Sequence, residues 1–447
     1  MSKSRHKNLV SRRELLKSGF YGSMAMSLAP ACTTSRPITT RPNILLITLD
    51  TTRADRLGCY GYNRQTSPNL DRLAQESVLY TNAIAPSSWT LPSHTSLFTG
   101  KFTSSHGARY DPEGPLKLMS TIHGGEDYRV RGMSENEVTL AMILGSAGYS
   151  TAAVVGGPWM TKVFGLNKGF SFYDDADILS INGRIASQVT TSAANWLEST
   201  RDDPFFLFLN YYDPHSPYTA PGKFYLAFLP KTDSNAKYDA EILYMDHHIG
   251  QLLDKLREWN LYDNTWIIIT ADHGELLGEH GKIAHGDYLY QEEIHIPLFM
   301  KYPLGEVSEQ RTDVMVQLTD ILPMICQRLD LPVPNNIQGA VPPQSNHPIV
   351  AETYPLPITS LDGHWRTIFD GDYKFLWNSS GQHTLFNLKQ DPSESTNIAD
   401  KEPQQAKQMA HRLDQYLASL PQPGAAPASQ VVDPETTRAL KGLGYLK

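Results

Sequence analysis

Ile44-Leu45-Leu46-Ile47-Thr48-Leu49 ends in Asp50, and Trp266-Ile267-Ile268-Ile269-Thr270-Ala271 ends in Asp272-His273-Gly274-Glu275. Short continuous apolar runs that stop at a carboxylate read as buried strands of a parallel sheet, and such sheets bind ligands beyond the strands' carboxyl ends. The pair therefore predicts an α/β fold with a site that gathers Asp50, Asp272 and His273. Working outward, residues 152–155, 205–209 and 296–300 also read as strands, and 138–144 and 240–259 as helices. That βαβα order predicts a mostly parallel central sheet with helices on both faces.

A hydroxyl stands ready to meet the carboxylates. Trp89-Thr90-Leu91-Pro92-Ser93-His94-Thr95-Ser96-Leu97-Phe98-Thr99-Gly100-Lys101 places Thr90 at the start of a turn-plus-helix segment. A Thr hydroxyl is a weak nucleophile at its own pKa and needs a base or a metal. Hard oxygens from Asp50 and Asp272, a nitrogen from His273 and the Thr90 oxygen would share one divalent ion, which lowers the pKa of a coordinated oxygen and neutralises substrate charge.

Tyr211-Tyr212-Asp213-Pro214-His215-Ser216-Pro217-Tyr218, then Asp272-His273-Gly274, then His285-Gly286 with Leu289-Tyr290, follow in that order. Near the end come Leu385-Phe386-Asn387-Leu388, Asp391-Pro392-Ser393-Glu394 and Asn397. With these motifs the chain, from about Arg41 onward, resembles the sulfatase family of the alkaline phosphatase superfamily. The resemblance implies an alkaline phosphatase-like catalytic domain, a smaller C-terminal α+β subdomain with an antiparallel sheet, and metal-dependent cleavage of sulfate or phosphate-type esters. Expected ions are Mn²⁺, Zn²⁺, Ca²⁺ or Mg²⁺. Lys101 and His94 are the expected donors to the transferring group, and His215 and His285 the expected general acids for the leaving oxygen.

The departures from the family pattern narrow the chemistry. Thr90 holds the position of the Cys that sulfatases convert to formylglycine, and His94 that of the signature Arg, so no formylglycine forms. Thr51 stands where many sulfatases carry a second metal-binding Asp, His273 where many carry Asn, and His285 near a substrate-binding Lys. Fewer charged ligands and an imidazole shift the expected metal preference from Ca²⁺ toward Mn²⁺ or Zn²⁺. A threonyl ester cannot expel its cargo by forming an aldehyde, so water or an alcohol must attack sulfur or phosphorus. Phosphate esters suit that exit better than sulfates. The runner-up readings are a phosphoglycerol- or phosphoethanolamine-type transferase and, from another class, a non-catalytic relic that binds anionic glycans.

The 447 residues, 40% hydrophobic and 19% charged, describe a globular chain long enough for a large domain and a smaller one. A net charge of -8 argues against a nucleic-acid partner. The expected partners are small anionic esters, sulfated or phosphorylated glycans, or lipid headgroups. Ser11-Arg12-Arg13-Glu14-Leu15-Leu16-Lys17, with a short apolar stretch behind it, reads as a twin-arginine export signal over 1–31. Periplasmic or extracellular placement follows, with membrane attachment only through a lipid at Cys32. A linker at 32–42, a catalytic domain at 43–335, a Pro-rich hinge and a C-terminal subdomain at 345–447 complete the expected organisation. The other cysteines, Cys59 and Cys326, lie far apart and read as buried apolar residues, not a disulfide framework.

Overall fold

The computed structural model of the chain describes residues 41–119, 127–178, 183–230, 234–306, 310–343, 348–355 and 362–423. The twin-arginine segment and Cys32 lie outside them, as does the end of the expected C-terminal subdomain. Eight strands form the central sheet, in the order Arg311–Gln317, Val78–Ile84, His295–Lys301, Thr265–Thr270, Asn43–Leu49, Phe205–Tyr211, Ser150–Val155 and Phe172–Asp174. Every pairing is parallel except the two made by His295–Lys301. The three central strands, Thr265–Thr270, Asn43–Leu49 and Phe205–Tyr211, are buried along their whole length. That is why they read as unbroken apolar runs and not as alternating ones.

Pro297 has no N–H to give the ladder, yet it lies inside the sheet. The register of its strand slips between Ile296 and Leu298, so the proline sits at a bulge. Helices cover both faces. Ser234–Glu258 packs on Pro68–Gln75 and Ala186–Thr200, whereas Thr90–Thr99 packs with Leu140–Ser146 and Ile321–Arg328. The helix expected from 138 starts at Leu140, because Thr139 turns its hydroxyl to cap Met142 N. The one expected from 240 begins earlier, at Ser234.

A second, four-stranded antiparallel sheet orders Val350–Thr353, Trp365–Asp370, Tyr373–Asn378 and Thr384–Asn387. Helix Pro403–Ser419 buries Met409, Leu413 and Leu417 against Val350, Ile368, Phe375 and Leu385 on one face. Bonds to the loop after Thr265–Thr270 also tie this sheet down: Thr353 Oγ1 donates to Gly286 O at 2.6 Å, and Gln291 N to Glu394 Oε2 at 2.6 Å. Cys59 and Cys326 are free thiols, the first half-buried and the second buried as expected. No helix among the described residues is long and apolar enough to cross a membrane.

Candidate metal and nucleophile centre

Strands Asn43–Leu49 and Thr265–Thr270 are in register, with Thr48 opposite Thr270, so Asp50 and Asp272 emerge side by side at the sheet's carboxyl edge. Both are fully buried. Burial pushes both carboxyls above their ordinary pKa, and the charge of Asp272 raises Asp50 further. Two adjacent buried carboxylates without a cation are costly. Each has one oxygen satisfied by the protein. Asp272 Oδ1 accepts from Thr51 N at 3.2 Å and His273 N at 2.9 Å, and Asp50 Oδ2 from Asn210 Nδ2 at 3.2 Å. The remaining oxygens, Asp50 Oδ1 and Asp272 Oδ2, accept no hydrogen bond.

His273 adds a third ligand atom. Its Nδ1 lies 3.0 Å from Gly274 O, and a carbonyl can only accept, so Nδ1 bears the proton and Nε2 is a bare lone pair. Burial, then the charge of His285, hold the imidazole well below its ordinary pKa. Nε2 lies 3.3 Å from Asp272 Oδ2 with no proton to share, and 3.2 Å from Thr90 Oγ1. Ligand atoms of Asp50, Asp272 and His273 fall within 4.8 Å of one another. Two unpaired carboxylate oxygens beside an imidazole lone pair are what a divalent cation requires, so the residues fit the ion the sequence implied.

Thr90 is the first residue of helix Thr90–Thr99, all ten residues of which are buried. Ser93 Oγ donates to Asp272 O at 2.6 Å and fastens this helix to the metal turn. Thr51, next to Asp50, has φ +52°, a left-handed conformation that a β-branched side chain adopts only under constraint. Its N–H to Asp272 and its carbonyl, which accepts from Tyr238 Oη at 2.6 Å, impose that constraint.

Two expected donors are placed differently from the reading above. Lys101 lies past the far end of helix Thr90–Thr99, about 15 Å along an axis that rises 1.5 Å per residue. Its Nζ pairs instead with Glu137 Oε2 at 2.6 Å. The structure does not bring it to Thr90. His94 is one turn from Thr90, as expected, but is fully buried, with its Nδ1 3.5 Å from Asp272 Oδ2. Its Nδ1 donates to Thr90 O at 2.9 Å, Thr48 Oγ1 donates to its Nε2 at 2.9 Å, and the Phe208 ring stands 5.8 Å away. Burial lowers its pKa to about 4. His94 thus braces helix Thr90–Thr99 against the strand that carries Thr48.

His215 and His285 do converge, their rings 4.9 Å apart. The ring of His285 is 4.5 Å from that of His273. Burial opposes charge on His285, but Glu275 Oε2, 3.1 Å from Nδ1, together with Asp272, outweighs burial and raises its pKa. His215 is lowered to about 3 by burial and then by the charge of His285, its Nδ1 donating to Ser216 O at 2.7 Å. Tyr212 stacks on His215 at 4.4 Å. Gly183, at φ +59°, makes room for that tyrosine: a Cβ there would lie 2.4 Å from Tyr212 Cδ1 and from Gly156 O. Sequence reasoning missed two members of the centre. Glu275 was visible beside His273 but its partner was not, and Asn210 hides inside the apolar run Phe205–Tyr211.

The sulfatase family model matches residues 42–331, most of the chain and the whole of this centre. The chain belongs to the sulfatase family. A second model, for the C-terminal region of N-sulphoglucosamine sulphohydrolase, matches 278–422. The sulfatase YidJ of Escherichia coli K12, uncharacterized, is 24% identical over 426 residues, covering 80% of this chain and 83% of its own. An N-acetylglucosamine-6-O-sulfatase of Bacteroides thetaiotaomicron is 23% identical over 503 residues, covering 84% and 86%. Among solved structures, the phosphonate monoester hydrolase of Agrobacterium radiobacter superposes with TM-score 0.68 at 19% identity, covering 85% of this chain and 96% of its own. The protein is a sulfatase-like ester hydrolase of alkaline phosphatase fold.

Proposed function

We propose that the protein is an exported, metal-dependent hydrolase that cleaves phosphate-type or sulfate esters through Thr90. The observation that carries this reading is the approach of Thr90 Oγ1 to His273 Nε2, 3.2 Å, beside the two free carboxylate oxygens. Asp50, Asp272, His273 and Thr90 would hold the divalent ion, which when bound neutralises the ester's charge and acidifies a nearby hydroxyl. Thr90 loses its proton to water, its oxygen bonds the central phosphorus or sulfur, and the leaving oxygen departs with a proton from His285. Glu275 orients His285 by accepting from Nδ1, which turns Nε2 away from the carboxylate. Water then attacks the central atom and gives a proton back to His285, while the departing Thr90 oxygen regains from solvent water the proton it gave up. His215, neutral and held by Tyr212, lines the same face.

A sulfated or phosphorylated sugar is the substrate class favoured by the relative named for N-acetylglucosamine 6-O-sulfate chemistry. The lack of a formylglycine precursor favours phosphorus over sulfur. Nitrophenyl sulfate, phosphate, phosphodiester and phosphonate esters, each offered with Mn²⁺, Zn²⁺, Ca²⁺ and Mg²⁺, test the proposal. Turnover of at least one phosphorus ester is expected; no turnover of any ester with any ion would overturn it.

A further inference from the structure

We infer that Asn210 fixes Asp50 as a one-oxygen ligand, and that the centre accordingly selects a first-row transition ion such as Mn²⁺ or Zn²⁺ over Ca²⁺. The inference rests on the metal reading above and goes beyond it in naming a residue, Asn210, that sets the preference among ions.

The orientation of the Asn210 amide is settled by its neighbours. Its Oδ1 accepts from Gly156 N at 3.3 Å and Gly157 N at 2.9 Å, and two N–H donors cannot both face an NH₂ group. Nδ2 is therefore the atom turned toward Asp50 Oδ2, 3.2 Å away, and toward Thr48 Oγ1, 3.4 Å away. All of these groups are buried, Asn210 and Asp50 completely. A donor held on Oδ2 fixes the rotation of the carboxylate and leaves Oδ1 as the oxygen without a protein partner, which favours one-oxygen ligation of a cation by Asp50.

Asp272 repeats the pattern from the opposite side. The backbone N–H groups of Thr51 and His273 occupy Oδ1, and Oδ2 is left. The centre thus favours one oxygen from each carboxylate, with one imidazole nitrogen and one hydroxyl, a small mixed donor set with two negative charges. Ca²⁺ takes six to eight oxygens and draws on carboxylates in bidentate fashion. Nitrogen with few oxygens suits Mn²⁺ and Zn²⁺. Outer-shell donors of this kind typically change metal affinity about 10–100-fold when removed.

Asn210→Asp separates the two functions of the amide. Its carboxylate can still accept from Gly156 and Gly157, but it no longer donates to Asp50 and adds an anionic oxygen beside it. Chelator-stripped protein, wild type and variant, is titrated calorimetrically with Mn²⁺, Zn²⁺ and Ca²⁺ alone. Expected for the wild type is Mn²⁺ or Zn²⁺ binding at least tenfold tighter than Ca²⁺. For Asn210→Asp that preference should shrink at least about tenfold, within the range for such outer-shell changes. Ca²⁺ binding as tight as Mn²⁺ and Zn²⁺ in the wild type would overturn the inference, even if the variant fails to fold. An unchanged ratio in a folded variant would remove Asn210 from it. No turnover enters these measurements, so a protein that binds Mn²⁺ selectively yet cleaves no ester refutes the hydrolase reading and leaves this one standing.

Discussion

Thr90 Oγ1 and His273 Nε2 lie 3.2 Å apart across two separate segments, and the nitrogen is bare because its ring partner Nδ1 is spent on Gly274 O. That contact is what the proposed nucleophilic role of Thr90 rests on. Thr90→Ala should abolish ester turnover, whereas Thr90→Ser, which keeps the hydroxyl, should retain part of it. Intact-mass and peptide analysis of protein quenched during turnover should place the adduct on the peptide containing Thr90. Near-normal rates in Thr90→Ala would mean that the nucleophile lies elsewhere.

Asp272 braces the turn through Oδ1 and keeps Oδ2 free. Asp272→Asn preserves the shape of the side chain but removes its charge. Turnover should fall by about 10²–10³-fold or more, the scale of removing one preorganised electrostatic contact. Stoichiometric metal, measured by elemental analysis, should fall with it. Full activity after exhaustive chelation would contradict a metal centre.

Asp213 and Glu241 give the fold a pH signature of their own. Burial lifts Asp213 to about 7 and, with the charge of Asp213 added, Glu241 to about 8. Asp213 Oδ1 accepts from Ala186 N at 2.8 Å, and Glu241 from Thr219 N. Because the folded-state pKa values are raised, the contribution to stability is complete below the ordinary carboxyl range near 4. It is lost as pH rises toward 7 and 8. Asp213→Asn should therefore melt higher than wild type at pH 8, and the gap should close by pH 4. A melting-temperature difference that does not change with pH would show that folding does not raise the Asp213 pKa.

Much of this centre was legible because it depends on local patterns. A buried strand that stops at a carboxylate announces itself, so Asp50 and Asp272 and the parallel sheet between them could be read from two short runs. His215 and His285 followed from their motifs. Lys101 misled because a cation near a nucleophile in sequence lies a whole helix away in space. His94 was in the right turn, but which side of that helix meets the core depends on Phe208 and Thr48, residues of other strands. Asn210 and Glu275 escaped notice for the same reason. Their meaning is a partner contributed by a distant segment, and an asparagine at the end of an apolar run gives no local sign of it.

Export should depend on Arg12 and Arg13, the pair in Ser11-Arg12-Arg13-Glu14-Leu15-Leu16-Lys17. Changing both to Lys conserves charge and should leave the folded protein in the cytoplasmic fraction. Appearance outside at the wild-type level would refute twin-arginine routing.

Thr51 sets folding and chemistry against each other. At φ +52° the threonine stores strain on the order of 1–3 kcal/mol, and residues such as Asn tolerate that backbone better. Thr51→Asn should raise the melting temperature of the metal-free protein. A screen that rewards heat resistance alone would accordingly return substitutions at this position. It would also place a new amide beside Asp50, at the lip of the centre that the strained turn keeps in register.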